Sequence, residues 1–175
     1  MIFLETNRLH LRNAIPADAA TMFDYRNNEI CARYQRGQTK TYEGLVDLIQ
    51  KRKDDKISTE SPFLIAVALK DTNEMIGEIV VMPSVNTFSI GYTISYKYHR
   101  QGYAFESLAA LMKLLHEWFK EWEFISFTDP KNHASMGLLI KLGYQNMGYL
   151  PSKESQVFGK WISKETEEEL AQVCK

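Results

Sequence analysis

Hydrophobic residues recur along this chain at two different spacings, which predict helices and strands. Leu9 and Leu11 alternate with polar residues and predict a short half-buried strand near residues 8–13. Pro16 suits the first turn of a helix that carries Met22 and Phe23. A second helix, capped by Thr41, has apolar residues at helical spacing, namely Tyr42, Leu45, Val46 and Ile49.

The middle of the chain changes to a strand-like pattern. Three apolar runs, at residues 63–69, 75–82 and 88–95, are rich in β-branched and aromatic residues. The first two are separated by the turn-forming segment Lys70-Asp-Thr-Asn73. These runs predict an antiparallel meander.

The strongest helical pattern lies between residues 104 and 122. Its apolar stripe recurs at steps of three and four residues and comprises Phe105, Leu108, Met112, Leu115, Phe119 and Trp122. Residues 124–128 follow as a strand, so residues 88–128 form a strand-helix-strand unit whose two strands should be parallel. A shorter helix over 133–142 ends at Gly143. Residues 144–150 and 156–163 predict a closing hairpin, and the Glu-rich segment from Lys164 is a solvated tail or a helix.

Composition narrows the function classes. With 175 residues, of which 45% are hydrophobic, the chain supports one core, so a single domain over residues 1–175 is expected. The net charge of −1 argues against nucleic acid as a partner and requires any bound anion to be held locally. A charge appears as early as Glu5, so we expect no signal or membrane-spanning segment, and a cytoplasmic protein. The cysteines, Cys31 and Cys174, and the histidines have no metal-ligand spacing, so no metal is implied.

A candidate anion site lies just before the strongest helix, at Tyr98-His-Arg-Gln-Gly-Tyr-Ala-Phe-Glu106. A helix start leaves about four backbone N–H groups without partners and carries about half a positive charge. Gly102 has no Cβ, so a phosphate can approach the backbone closely, and Arg100 adds a cation. A simple turn also explains a lone glycine. Neither a Walker A loop nor a Gly-x-Gly-x-x-Gly fingerprint is present.

A second segment gives this loop its context. Asp129-Pro-Lys-Asn-His-Ala-Ser135 leads through a short helix into Lys141-Leu-Gly-Tyr144. The loop, the amphipathic helix and the spacing Asn132-x-x-Ser135, in this order, resemble the GNAT superfamily of acetyl-CoA-dependent N-acetyltransferases. The opening Leu4-Glu-Thr-Asn-Arg-Leu-His-Leu-Arg12 and the segment Ile90-Gly-Tyr92 resemble its ribosomal-protein N-terminal (alanine) acetyltransferase branch. The resemblance extends over nearly the whole chain.

The resemblance implies a fold and a reaction. The fold is α/β, with a mixed, mostly antiparallel sheet of about seven strands, one splayed parallel pair and about four flanking helices. The reaction is direct transfer of an acetyl group from acetyl-CoA, the cosubstrate, to a primary amine of a protein N-terminus or a small molecule. The alternatives are a catalytically silent CoA-binding or regulatory domain and, opposed by the neutral charge, an RNA-binding accessory factor. A homodimer is compatible with the resemblance.

The resemblance also implies cofactor-binding residues. Backbone groups of the splayed strand, at Thr93, Ile94 and Ser95, would bind the pantetheine arm as a missing strand does. Asn132 would bind this arm from the opposite wall, or else cap its helix. Two departures are His99, where the family often has Arg or Gln, and Arg100, where it often has a second glycine. Backbone amides would cradle the pyrophosphate at Arg100, Gln101, Gly102, Tyr103, Ala104 and Phe105.

Acetyl transfer requires a neutral amine, an oxyanion donor and an acid for the leaving thiolate. The backbone N–H near Ile94 is the candidate oxyanion donor. Leu139 occupies the position where many members have a tyrosine acid, so Ser135 is the candidate acid, with local helix capping as the alternative. Glu78 is the candidate base; the alternatives are that it lies on a solvated face and that water takes the proton. The acceptor is expected near Tyr25, Arg26, Glu29, Arg33, Tyr34, Gln35 and Arg36.

Overall fold

The apolar runs form the strands of one eight-stranded sheet in the computed structural model, which describes residues 1–175. The strands are β1 (Ile2–Glu5), β2 (Leu9–Arg12), β3 (Phe63–Leu69), β4 (Met75–Ser84), β5 (Thr87–Ile94), β6 (Glu123–Thr128), β7 (Gln145–Leu150) and β8 (Ser155–Lys160). The helices are α1 (Ala19–Arg26), α2 (Glu29–Ala32), α3 (Tyr42–Arg52), α4 (Tyr103–Trp118), α5 (His133–Lys141) and α6 (Lys164–Val173). None of these helices is long and apolar enough to cross a membrane.

The order of the strands confirms the predicted fold class. The sheet runs β1-β2-β3-β4-β5-β6-β8-β7, and every neighbouring pair is antiparallel except β5 and β6. The parallel pair is registered only at Thr87 with Glu123 and at Phe88 with Phe124, after which the two strands separate. The predicted strand-helix-strand unit and its splayed parallel pair are therefore confirmed.

Two details differ from the prediction, and one open alternative is decided. β1, which pairs with β2, has no alternating pattern because it is an edge strand without a buried face. α4 ends at Trp118, and Phe119 already leaves the helical backbone with a φ of −130°. The last two residues of the predicted stripe, Phe119 and Trp122, follow the helix rather than belonging to it. The segment from Lys164 is helical, and its N-terminus is capped by Ser163, whose side chain accepts from the Thr166 amide.

Side chains on the two faces of the sheet form separate cores. The larger core lies between the sheet and helices α4 and α5, and the smaller one lies beneath α1 and α3. Four aromatic rings close the larger core at the paired end of β5 and β6. Phe88 is their centre, with ring centroids 4.5 Å from Trp122, 5.5 Å from Phe124 and 5.6 Å from Phe119.

A buried ion pair fixes the start of α1 against the sheet. Arg12 donates from both terminal nitrogens to the Asp18 carboxylate, at 2.8 and 3.0 Å. Asp18 also accepts from the Ile15 amide, and Asn73 accepts twice from Arg12. Both charged side chains are almost fully buried. The cluster thus joins β2, the segment before α1 and the turn between β3 and β4.

We expect Asp18→Ala to destabilise the fold strongly, because it leaves the Arg12 guanidinium buried without its counter-charge. The free energy of unfolding should fall by about 3–5 kcal/mol. Urea unfolding at neutral pH measures it. Asp71→Ala, in the exposed turn before Asn73, is the matched control and should change the value by less than about 0.5 kcal/mol. Equal effects of the two substitutions would contradict the assigned role of the ion pair.

Candidate active site

The divergence of β5 from β6 opens a gap in the sheet. The backbone groups of two β5 residues face this gap. The Ser95 amide donates to the Ile76 carbonyl, which directs it towards β4. Backbone groups alternate in direction along a strand, so those of Thr93 also face β4, whereas those of Tyr92 and Ile94 face the gap. Of the predicted residues Thr93, Ile94 and Ser95, only Ile94 therefore directs its backbone into the gap.

The predicted anion loop lies at one end of this gap, where it leads into α4. Gly102 is the N-cap of α4, with a left-handed φ of +81°, and no side chain caps the helix. The first amide with an intrahelical partner is that of Glu106, which donates to the Gly102 carbonyl. The amides of Tyr103, Ala104 and Phe105 therefore lie in the first turn, where a helix offers its N–H groups to an anion.

Gly102 is required by its backbone conformation rather than by crowding. A Cβ added there would meet only the Arg8 guanidinium, at 3.4 Å, so the space around the loop is open. Arg100 also has a left-handed φ, +60°, at the position where the family often has a second glycine. A residue with a side chain bears this conformation at a cost of about 1–2 kcal/mol, so the loop must be held by other contacts.

One of these contacts is an anchor from the distant N-terminus. Glu106, in the first turn of α4, accepts hydrogen bonds from the Thr6 hydroxyl, the Arg8 amide and the Arg8 guanidinium, at 2.6, 2.9 and 2.7 Å. The Arg8 guanidinium lies 4.2 Å from the centre of the Tyr103 ring. Sequence analysis did not identify Arg8 as a site residue. The opening segment that contains Arg8 was noted for its resemblance, but the contact between Arg8 and Glu106 joins residues 98 positions apart.

This anchor holds Glu106 as a carboxylate. Partial burial favours the protonated acid, but the hydrogen bonds from Thr6 and Arg8 and the charge of Arg8 outweigh it and lower the pKa of Glu106 below its ordinary 4.5. A negative charge in the first turn is also favoured by the helix dipole. Glu106 thus stabilises the start of α4 in two ways, through the helix dipole and through its hydrogen bonds with Thr6 and Arg8.

His99 supplies a second contact that holds the loop. Its Nε2 lies 2.7 Å from the Ile94 carbonyl, and because a carbonyl oxygen only accepts, this nitrogen carries the proton. The Cys31 thiol approaches the same oxygen at 3.6 Å. His99 therefore ties the loop to the end of β5, a role that its side chain can fill without contacting a ligand.

Asn132 and Ser135 lie at the start of α5, on the other side of the gap. The Asn132 side chain caps the helix by accepting from the Ser135 amide at 3.2 Å, so its alternative role as an N-cap is confirmed. The Ser135 hydroxyl caps nothing in its own helix. It accepts instead from the Tyr92 hydroxyl at 3.3 Å, across the gap. Tyr92 is the second site residue that sequence reasoning missed.

Glu78 lies on β4, on the face of the sheet that packs against α1. Its carboxylate is only 2% exposed and accepts from the Arg26 guanidinium at 2.6 Å and from the Tyr25 hydroxyl. Burial, with the adjacent Glu78 charge, raises the pKa of Tyr25 well above its ordinary value, so the phenol stays a donor. The alternative that Glu78 lies on a solvated face is excluded. Tyr25 and Arg26 are likewise buried, and do not line an open acceptor surface.

A short segment between α2 and α3 crosses the gap and contacts both of its walls. We call residues 34–36 the strap. Gln35 donates to the Tyr92 carbonyl at 3.4 Å and to the Thr93 hydroxyl at 3.2 Å. Tyr34 donates to the Lys131 carbonyl and Arg36 pairs with Asp129, which places both on the β6 side. Of the residues predicted to meet the acceptor, these three lie over the gap.

Comparison with known proteins gives a consistent result. The sequence matches the family model described as "Acetyltransferase (GNAT) domain" over residues 8–145. The uncharacterized N-acetyltransferase YoaA of Bacillus subtilis (strain 168) is 29% identical over 156 residues, which are 84% of this chain and 85% of that protein.

Two solved structures share the fold. The acetyltransferase (GNAT family) from Bacillus anthracis has a TM-score of 0.76 at 23% identity, covering 91% of this chain and 96% of that one. The ribosomal-protein alpha-N-acetyltransferase RimL, in complex with coenzyme A, has a TM-score of 0.76 at 15% identity, covering 91% of this chain and 97% of that one.

We expect Glu106→Gln to lower the stability of the protein more at neutral pH than in acid. A carboxylate whose folded pKa lies below its unfolded pKa stabilises the fold above the unfolded value, and this stabilisation is lost as the pH falls through the folded value. The difference in free energy of unfolding between wild type and variant should therefore shrink below pH 4.5. Urea unfolding at about pH 7 and about pH 3.5 measures it.

Glu117→Gln is the matched control for this prediction. Glu117 lies on the same helix, 58% exposed, in a weak pair with Lys113 at 3.9 Å. Its replacement should leave the stability nearly unchanged at both pH values. A Glu106→Gln effect that is the same in acid as at neutral pH would show that the anchor does not depend on charge.

Proposed function

This chain belongs to the GNAT acetyltransferase family, and on that premise we propose that it transfers the acetyl group of acetyl-CoA to a primary amine. One observation carries the proposal. The start of α4 at Gly102, the edge of β5 with which no strand pairs and the Ser135 hydroxyl all border the same gap. A cosubstrate with a diphosphate, an amide-rich arm and a thioester needs these three features in this order.

The start of α4 fits the diphosphate of the cosubstrate. We assign the main-chain amides of the loop to its oxygens; the residues are Arg100, Gln101, Gly102, Tyr103, Ala104 and Phe105. The helix dipole adds positive potential, and the Arg8 and Arg100 side chains add cations. The complex of RimL with coenzyme A supports this assignment, because that protein shares the fold.

The edge of β5 fits the amide groups of the pantetheine arm. The carbonyls of Tyr92 and Ile94 face the gap but already accept from the Gln35 and His99 side chains, so the Tyr92 amide is the backbone group that we assign to an extended arm lying beside β5. Asn132 uses its carbonyl oxygen as a cap, so its amide nitrogen is the group we assign to the arm. The arm so placed runs from the start of α4 towards Ser135.

Acetyl-CoA supplies an activated acyl group, and the chain's own groups assist its transfer. The Ile94 amide, fixed by the strand and facing the gap, is the proposed donor to the oxyanion. Leu139 is buried at the position where many family members have a tyrosine. Ser135, one helical turn earlier on α5, is the proposed acid for the leaving thiolate.

The proton of the amine leaves to water in this proposal. Glu78, the predicted base, has its carboxylate engaged by Arg26 and Tyr25 and lies on the α1 face of the sheet. These contacts favour the alternative in which ordered water carries the proton away. Base catalysis by Glu78 stays a prediction.

The strap and the strand ends beside it are the proposed acceptor side. Arg36 of the strap borders a hollow of about 440 Å³ together with Phe127 and Lys153. A protein N-terminus and a small amine both fit an opening of this kind. The RimL likeness favours the first, because that protein is described as a ribosomal-protein alpha-N-acetyltransferase.

We expect Gly102→Ala to weaken coenzyme A binding. Alanine disfavours the left-handed backbone of this position by about 1–2 kcal/mol, so the amides leave their bound arrangement and affinity falls by about 5–30-fold. Isothermal titration calorimetry with coenzyme A measures it. Gly137→Ala, on the exposed side of α5 where a Cβ meets no other atom, is the control and should bind as wild type does. Unchanged binding by Gly102→Ala, or no heat with wild type, would contradict the site.

We expect Ser135→Ala to lower kcat about 100-fold or more while the KM for acetyl-CoA changes little, because the acid acts only as the thiolate leaves. Thiol release is followed with acetyl-CoA and a panel of N-terminal peptides and small amines. Ser84→Ala, at the exposed end of β4, is the control. Tight coenzyme A binding without turnover of any amine would favour the silent CoA-binding domain instead.

A further inference from the structure

Tyr92 lies on β5, and its phenol faces the gap. The residue lies near the end of β5, with its ring against the larger core. Its hydroxyl donates to the Ser135 hydroxyl at 3.3 Å, which joins two positions that are 43 residues apart. The position on α5 where many relatives have a tyrosine is Leu139, so the phenol of this chain comes from the opposite wall.

The hydrogen bond determines where the proton of Ser135 points. A tyrosine hydroxyl has one proton, and Tyr92 gives it to the Ser135 oxygen. Burial raises the pKa of Tyr92, so the phenol is neutral at physiological pH. The Ser135 oxygen already accepts one hydrogen bond, and its own proton is left to be directed into the gap.

We propose that Tyr92 is a positioning residue that hydrogen-bonds to Ser135 and replaces the proton that Ser135 gives to the leaving thiolate. The proposal rests on the proposed function. As the carbon–sulfur bond breaks, the Ser135 proton passes to sulfur and the Tyr92 proton passes to the Ser135 oxygen. The phenolate so formed regains a proton through water from the nitrogen that has formed the new amide bond. One proton leaves nitrogen and one reaches sulfur, so the reaction balances.

This arrangement resolves a weakness of serine as an acid. An aliphatic hydroxyl is a much weaker acid than a thiol, so a serine that donated alone would be left as an unstable alkoxide. An ordinary phenol titrates near 10 and a thiol near 8.5; burial raises the pKa of Tyr92, but a phenol is still a far stronger acid than an aliphatic hydroxyl. The distance of 3.3 Å is long for two hydroxyls, but catalytic hydrogen bonds commonly shorten when the substrate binds.

We expect Tyr92→Phe to lower kcat about tenfold, with little change in the KM for acetyl-CoA or in the thermal midpoint. The substitution removes one oxygen and keeps the ring in the core. In the Ser135→Ala background the same change should have almost no further effect on kcat, since the phenol acts only through the serine. Tyr149→Phe, on the edge strand β7, removes a phenol oxygen elsewhere and should leave kcat unchanged.

Three results would overturn the inference. The first is an unchanged kcat for Tyr92→Phe in an active enzyme. The second is an equal loss of kcat in the wild-type and Ser135→Ala backgrounds, which would make the two residues independent. The third result applies if the wild-type protein acetylates no amine, which by itself contradicts the proposed function. The contact between Tyr92 and Ser135 can then still be tested by NMR, with a ¹³C label at the Tyr92 ring carbon that is bonded to the hydroxyl. An unchanged ¹³C resonance in Ser135→Ala would show that this contact is absent.

Discussion

The separation of β5 from β6 is the constraint on which the site depends. Two neighbouring strands that stop pairing leave backbone polar groups that need other partners. This chain satisfies the outward carbonyls of β5 with side chains: His99 and Cys31 approach Ile94, and Gln35 approaches Tyr92. The donors therefore come from the loop before α4 and from the strap, so both segments are folded against the gap because the sheet is incomplete there.

The loop before α4 is maintained by contacts from outside its own sequence. Two of its residues, Arg100 and Gly102, have left-handed backbone conformations, and no side chain caps the helix that follows them. Glu106 supplies the compensation by binding the turn between β1 and β2. The edge strand β1 contributes little to the core, yet that turn positions Arg8 beside the open face of the helix start.

Periodicity along the sequence predicted the central strands and the longer helices, because each of these buries a regular face. It missed β1, which has no such face, and it extended α4 to Trp122 because Phe119 and Trp122 continue the spacing after the helix has ended. The loop around Gly102 was found from its local chemistry. The contacts of Tyr92 with Ser135 and of Arg26 with Glu78 join residues 43 and 52 positions apart, and no spacing within either segment encodes them.

The aromatic cluster around Phe88 has a mechanical consequence. Only two residue pairs join β5 to β6, whereas the strands on either side of this seam are bonded along their lengths. The two halves of the sheet therefore pair directly only beside Phe88, where the rings of Phe119, Trp122 and Phe124 pack around it. Because displacement grows with distance from this joint, a change in the angle between the two halves is largest at the far end, where the thioester and the amine would meet.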